Sequence, residues 1–152
     1  MFLTVHALAA AVVVEKFQVH SSALAFVLGF GSHFILDMIP HGDEGLIDGA
    51  GKSYVRAVLP WAFGDLALLA LLLLALGARK PDLFTAPVLL AMLGSMVPDA
   101  LQVVHHALVP IPRYMEFHHR SHRYLGMRIG IGRGALLQGI FCLVMLSVLF
   151  RS

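Results

Sequence analysis

Nine of the 152 residues are histidine, an unusual share for a chain this apolar, and several fall at spacings that suit coordination chemistry. His33 and Asp37 stand four apart, as do His118 and His122, so on a helix each pair projects from one face. Two imidazoles at that spacing can grip a single metal ion. Asp99 follows Pro98 at the end of an apolar run, and His6 lies near the start of the chain. His6, His33, Asp37, Asp99, His118 and His122 together make a mixed nitrogen and oxygen donor set. Such a set suits zinc first, with manganese or iron(II) as alternatives, and one or two ions are conceivable. The single cysteine, Cys142, excludes a thiolate-rich structural zinc site.

A divalent ion in such a site lowers the pKa of bound water to about 7, which supplies a nucleophile for ester or phosphoester hydrolysis. Asp65 and His119 are the candidates for general base or leaving-group acid, and Arg120 for stabilising charge at a phosphoryl group. Arg123, Arg128 and Arg133 flank Gly130, Gly132 and Gly134. Guanidinium groups beside a helix start make an anion site, so these arginines are candidate substrate contacts.

The elements that must carry these residues are membrane helices. The chain is 59% hydrophobic and 13% charged, with a mean hydropathy of +0.82. Soluble domains carry about 25% charged residues. A net charge of +2 is too small to suggest a nucleic-acid binder. The first residues lack the basic start of a secretory signal, so they read as a retained helix. Five apolar segments stand out: Met1–Val14, Ser22–Ile39, Leu59–Leu76, Phe84–Leu101 and Ile129–Phe150. Glycine- and proline-bearing connectors separate them. The expectation is one all-α domain over residues 1–152, an integral membrane bundle of about five transmembrane helices. The first segment is short enough to be either a thin span or a re-entrant helix.

If all five segments cross, seven lysines and arginines lie on the face of the N-terminus and four on the opposite face. That excess makes the first face cytoplasmic, as in a bacterial-type inner membrane. Under the same topology His6, His33, Asp37, His41, Asp65, Asp99 and the histidines from His105 to His122 sort to that face, and His20 alone to the other. A carboxylate at the centre of a membrane helix costs about 2.5–3.5 kcal/mol, so three of them call for a partner. Plainer accounts stay open. His33 and Asp37 could pair without metal, the histidines among Arg120 and Arg123 could lie on anionic headgroups, and Asp43, Glu44 and Asp48 could be a solvated loop. A weak repeat relates LAFVLGFGSHFILDMIP to VLLAMLGSMVPDALQ through a Gly-Ser pair, with helix packing as the simple explanation.

Thr4-Val5-His6-Ala7-Leu8-Ala9-Ala10, Gly94-Ser95-Met96-Val97-Pro98-Asp99 and Phe117-His118-His119-Arg120-Ser121-His122 resemble three motifs of the small inner-membrane proteins described as membrane-bound metal-dependent hydrolases. In that family a Thr-His opens the chain, a Gly-x-x-x-Pro-Asp closes a helix, and a His-Arg segment ends in a second His. The resemblance implies a metal-dependent hydrolase; with the placement of the candidate ligands near the cytoplasmic interface, the expectation is a membrane enzyme acting on a phosphoester or ester of a lipid-type substrate there. Two alternatives come from other classes: a membrane metal-binding or transport protein, and a structural protein with a basic lipid-binding loop. Haem b between paired histidines fits less well, because three nearby carboxylates favour a hard dication.

Overall fold

The computed structural model describes residues 1–42, 54–122 and 129–151, without the side chain of His122. Among the described residues six α-helices run in order: α1 (Leu3–Lys16), α2 (Ser22–Asp37), α3 (Tyr54–Arg79), α4 (Ala86–Ala107), α5 (Pro112–His122) and α6 (Ile131–Arg151). A short 3-10 turn, Pro81–Leu83, joins α3 to α4. Among the described residues there is no strand, in agreement with an all-α chain.

Helix length separates the spans. α3, α4 and α6 are long and apolar enough to cross a membrane. At 1.5 Å per residue the 26 residues of α3 reach about 39 Å, against a hydrocarbon thickness of about 30 Å. The 14 residues of α1 reach only about 21 Å and the 16 of α2 about 24 Å. Three helices are therefore spans by length, and the expectation of five goes beyond what length supports. α1 is short but enclosed: Thr4 to Ala11 and Val14 are all buried. Its alanines present little bulk, which lets neighbouring helices close around it.

Two expected boundaries shift by five residues or more. α3 begins at Tyr54 rather than Leu59, and α4 continues to Ala107 rather than Leu101. Asp65 and Asp99 consequently lie further from their helix ends than the apolar runs alone suggest. Neither Pro60 in α3 nor Pro98 in α4 ends its helix. The histidine-rich connector before α6 also contains a helix of its own, α5, which buries Met115, His118 and Ser121 at a three-residue interval. Its charged groups raise polarity without breaking helical spacing, so polarity alone made it look like a loop.

Contacts at both ends fix how the helices alternate. At one end Phe2 N donates to Gln138 Oε1 of α6 at 2.6 Å, and Thr4 N donates to Asp65 Oδ2 of α3 at 3.2 Å. At the other, Lys80 Nζ donates to the Leu149 carbonyl at 3.3 Å. The Arg79 guanidinium stands 5.9 Å from the centre of the Phe150 ring. The outer faces of α3 and α6 expose Trp61, Phe63, Leu71, Leu74, Leu136 and Leu143. Apolar faces of that extent need an apolar surrounding, which a bilayer supplies.

The tightest packing is between α2 and α4. On α2, Ala25, Gly29, His33 and Asp37 recur every fourth residue, and all four are buried. A Cβ on Gly29 would collide with the Ala91 carbonyl, and one on Gly94 with the Phe26 carbonyl. Further along α2, His33 meets Ser95 and Asp99 of α4, so the two helices run in the same direction. The Gly-Ser repeat has a packing meaning at its second copy only: Gly94 lies at the crossing, whereas Gly31 has open space around it. Substitution tests this directly. Gly29→Ala should destabilise the protein by about 1–3 kcal/mol through overpacking. Gly31→Ala should be neutral or slightly stabilising, because it gains helix propensity without a clash. Thermal unfolding in detergent, followed by circular dichroism, reads both, and equal effects would contradict the crossing.

Candidate metal centre

The buried stripe of α2 changes character along its length, from the small residues at the crossing to His33 and Asp37. His33 stands at the centre of what gathers there. Its Nδ1 lies 2.9 Å from the Ser95 carbonyl, and its Nε2 lies 2.9 Å from Asp37 Oδ2, 3.3 Å from His118 Nε2 and 3.9 Å from Asp99 Oδ1. His6 of α1 stacks on the His33 ring, with centroids 4.1 Å apart, and brings its Nε2 to 3.1 Å from Asp37 Oδ1. His118 of α5 brings Nε2 to 3.9 Å from Asp37 Oδ2. His6, His33, Asp37 and His118 are fully buried, and the Asp99 side chain is about a quarter exposed at 26%. Four helices thus contribute to one group of ring nitrogens and carboxylate oxygens.

The hydrogen-bond arithmetic of this group is unusual. A carbonyl only accepts, so the Ser95 contact requires the His33 proton to sit on Nδ1. A neutral His33 then has a bare lone pair at Nε2, directed towards carboxylate oxygens that also carry lone pairs. Neither ring nitrogen of His6 makes a hydrogen bond with a described residue, although Asp37 stands close to its Nε2. The contact is one of proximity without a directed bond. Imidazole nitrogens and carboxylate oxygens gathered this closely are an arrangement a cation can complete. Two overlapping sets have donor atoms within 4.8 Å of one another: His6, His33 and Asp99, and His33, Asp37 and His118. The donors fit a zinc, manganese or iron(II) ion in type, being imidazole nitrogen and carboxylate oxygen. The Met1 ammonium donates to Asp37 Oδ1 at 3.2 Å, a buried ion pair that already brings one positive charge to this carboxylate.

Supporting residues hold this geometry. Gln138, buried in α6, accepts from Phe2 N through Oε1 and donates through Nε2 to the His41 carbonyl at 2.9 Å. It ties the start of α1 to the segment that follows α2. Gly134 packs so closely on His41 and Gly42 that a Cβ there would meet the His41 carbonyl. The Tyr114 hydroxyl donates to the Pro98 carbonyl at 2.6 Å, anchoring α5 on α4 one turn before His118. The Asp65 backbone carbonyl accepts from Thr4 Oγ1 at 3.1 Å, two residues before His6. Ser95, Tyr114 and Gln138 were not among the expected site residues. Gln138 carried a signal, as a lone amide within the apolar run GALLQGIF. Ser95 acts through its backbone carbonyl, which no side-chain pattern reveals.

The remaining expectations divide. His119 and Arg120 are exposed on α5, and Arg120 donates to Glu116 at 2.7 Å, so both face away from the buried donors. Arg133 is exposed on the first turn of α6. Gly134 serves packing there, while Gly130 and Gly132 have open space around them. Arg123, Arg128 and the side chain of His122 lie outside the described residues, as do Asp43, Glu44 and Asp48. His105 supports the backbone, because its Nδ1 accepts from Ile111 N at 2.6 Å and closes the turn into α5. His106 stacks on Tyr54, with centroids 4.1 Å apart.

Burial pushes the Tyr114 phenol well above its ordinary range, with Asp99 and Asp37 acting in the same direction. A raised pKa means the neutral phenol is the favoured folded form. Its contribution is fully present below about pH 10 and is lost as pH rises beyond that. Tyr114→Phe should therefore speed amide hydrogen exchange across α5 at pH 7, at a cost of about 1 kcal/mol. Wild-type protection at those amides, corrected for intrinsic exchange, should stay constant from pH 6 to 9. Unchanged exchange in the variant would show that α5 does not depend on this bond.

No family model, curated protein or solved structure matches this chain.

Proposed function

We propose that this chain is a membrane-embedded, divalent-metal-dependent hydrolase that cleaves an ester or phosphoester bond of a lipid-type substrate. The observation that carries the reading is the convergence, from four helices, of the buried His6, His33, Asp37 and His118 with the partly exposed Asp99, in two overlapping sets of three donors. In this reading the five expected ligands, joined by His122, hold zinc, or manganese or iron(II) in its place. When bound, the ion supplies Lewis acidity and a water acidic enough to ionise near neutral pH.

The protein's own groups do the rest. The Ser95 carbonyl keeps the His33 proton on Nδ1, so that Nε2 stays available as a donor atom. Asp37 supplies negative charge shared among three imidazoles, and α1, α2, α4 and α5 hold those rings in fixed positions. Asp99, the most exposed of the five, opens the group towards an apolar cavity, where a substrate carbonyl or phosphoryl group would arrive. The resemblance to membrane-bound metal-dependent hydrolases supports the same assignment. We place all five apolar segments within the bilayer of an inner membrane, α1 as a short element enclosed by its neighbours and α2 as a short element with one apolar face exposed. The site then lies on the cytoplasmic side.

Metal transport is the less favoured reading, for a structural reason. Beyond the donor group the interior is filled by Ala11, Val14, Leu76, Leu83, Val88 and Leu149, which continue the core to the opposite end. Among the described residues no polar path leads through that plug. A hydrolase needs access from one side only.

Metal analysis tests the proposal. Protein purified in mild detergent without chelator should contain about one or two divalent ions per chain. His118→Ala combined with His122→Ala should reduce that content and abolish release of product from lipid esters. A wild-type preparation that is folded, metal-free and unable to bind added zinc would overturn it. Metal uptake into proteoliposomes without hydrolysis would favour the transport reading instead.

A further inference from the structure

A cavity of about 460 Å³ lies between the start of α1, the first half of α3 and the second half of α4. Its size falls within the roughly 300–1,000 Å³ of small-molecule sites. Along α4 the wall changes character: Leu93, Met96 and Val97 are apolar, and Asp99 and Gln102 follow. α3 runs back along the same wall, because Tyr54 at its start stacks on His106 near the end of α4. Leu66 therefore lies towards the apolar end, with Leu93, and both are among the exposed large residues. That end opens sideways onto the face that a bilayer would cover.

The charged groups of the wall already have partners. The Met1 ammonium donates to Asp37, Asp65 accepts from Thr4 N, and Asp99 approaches His33. Gln102 is different. It is 4% exposed, and its amide makes no hydrogen bond with a described residue. Unlike Asp65 Oδ1, neither polar atom of that amide is sealed from contact. A buried amide that has given up water without gaining a partner is costly, and the cavity Gln102 lines is where a partner fits. Gln102 follows Asp99 by three residues, so the two project from one face of α4, about 4.5 Å apart along its axis.

We infer that the cavity holds the acyl chain of a lipid ester, entering sideways from the bilayer, with the Gln102 amide nitrogen donating to the carbonyl oxygen of that ester. The chain lies along Leu66, Leu93 and Met96, the carbonyl sits where the wall turns polar, and the rest of the lipid extends towards Tyr54. Gln102 is thereby a substrate-binding residue that holds the ester about one helical turn from Asp99. The ester, and not the charge of the head, is what the amide recognises. The inference rests on the hydrolase reading for the fate of the ester, but binding of the lipid stands apart from it.

Trp61 is the only tryptophan of the chain and lies in the cavity wall, so it reports occupancy. Bromine on an acyl chain quenches indole fluorescence on contact. Two probes are compared in nanodiscs of unbrominated phosphatidylcholine, with chelator present so that no metal-dependent cleavage occurs. One is lysophosphatidylcholine with a dibrominated acyl chain. The other is its ether-linked counterpart, with the same chain and head but no carbonyl. Both should quench Trp61 saturably, and the ester should reach half-quenching at a mole fraction about three- to tenfold lower. Gln102→Leu, which keeps the bulk and removes the donor, should bring the ester to the level of the ether and leave the ether unchanged. Gln102→Met gives the same readout should the leucine variant fail to fold.

Equal half-quenching by ester and ether in the wild type would overturn the inference. Quenching that rises linearly with both probes would overturn it as well, because bulk lipid alone would then reach Trp61. A Gln102→Leu variant that keeps the ester preference would place the carbonyl elsewhere, and one that weakens both probes alike would place the amide on the head; either result rejects the assignment. Ester preference in a chain that, without chelator, neither binds metal nor hydrolyses the ester would leave the lipid site standing and end the hydrolase reading.

Discussion

Asp37 has no exposed surface, yet it is surrounded at 2.9–3.9 Å by three imidazole nitrogens that are themselves buried. An isolated carboxylate in such surroundings pays a desolvation penalty of several kcal/mol, and positive charge has to compensate for it. The Met1 ammonium, 3.2 Å from Asp37 Oδ1, supplies part of it. His33 is already committed to donating from Nδ1 to the Ser95 carbonyl, and its Nε2 faces oxygen lone pairs. The rest of the structure follows from meeting this constraint. α1 is short and rich in alanine because it must bring His6 into the middle of the bundle. The α2–α4 crossing is built from glycine and alanine because His33 must reach Ser95 and Asp99.

The same constraint explains why the supporting residues are where they are. Gln138 uses both ends of its amide to bind backbone groups of the two segments that carry His6 and Asp37. Tyr114 holds α5 against the Pro98 carbonyl, and His118 follows one turn later. Neither residue contacts the central lone pairs, but each removes freedom from an element that does. Second-layer contacts of this kind are what give coordinating side chains a fixed orientation. The apolar core beyond them closes one end of the bundle, and among the described residues Asp99 links the polar group to the cavity beside it.

Much of this arrangement was legible in the amino-acid order, and what was not has a physical reason. The i,i+4 relation of His33 and Asp37 placed them on one helical face, and the alternation of segments put His6, Asp99 and His118 at the same end. Five of the six expected ligands accordingly meet; the side chain of the sixth, His122, is outside the described residues. Helix ends were less legible, because α3 and α4 continue beyond their apolar runs through residues such as Arg56 and His105. α5 was hidden because its charged groups mask a three-residue burial period. His119 and Arg120 drew attention as neighbours of His118, yet on a helix adjacent residues point about 100° apart, so those two turn outward. The role of the Ser95 backbone could not be read from side-chain identity at all.

X-ray absorption fine structure, measured at the edge of whichever divalent metal co-purifies with the wild-type chain, tests the central claim most directly. Convergence of His6, His33 and His118 with the carboxylates predicts about three imidazole nitrogens near 2.0–2.1 Å if that metal is zinc, with one or two oxygens beside them. The imidazole rings should add their outer-shell scattering. A first shell made of oxygen alone, with no imidazole signature, would mean that any bound metal sits elsewhere and that the buried histidines pair with Asp37 by protons only.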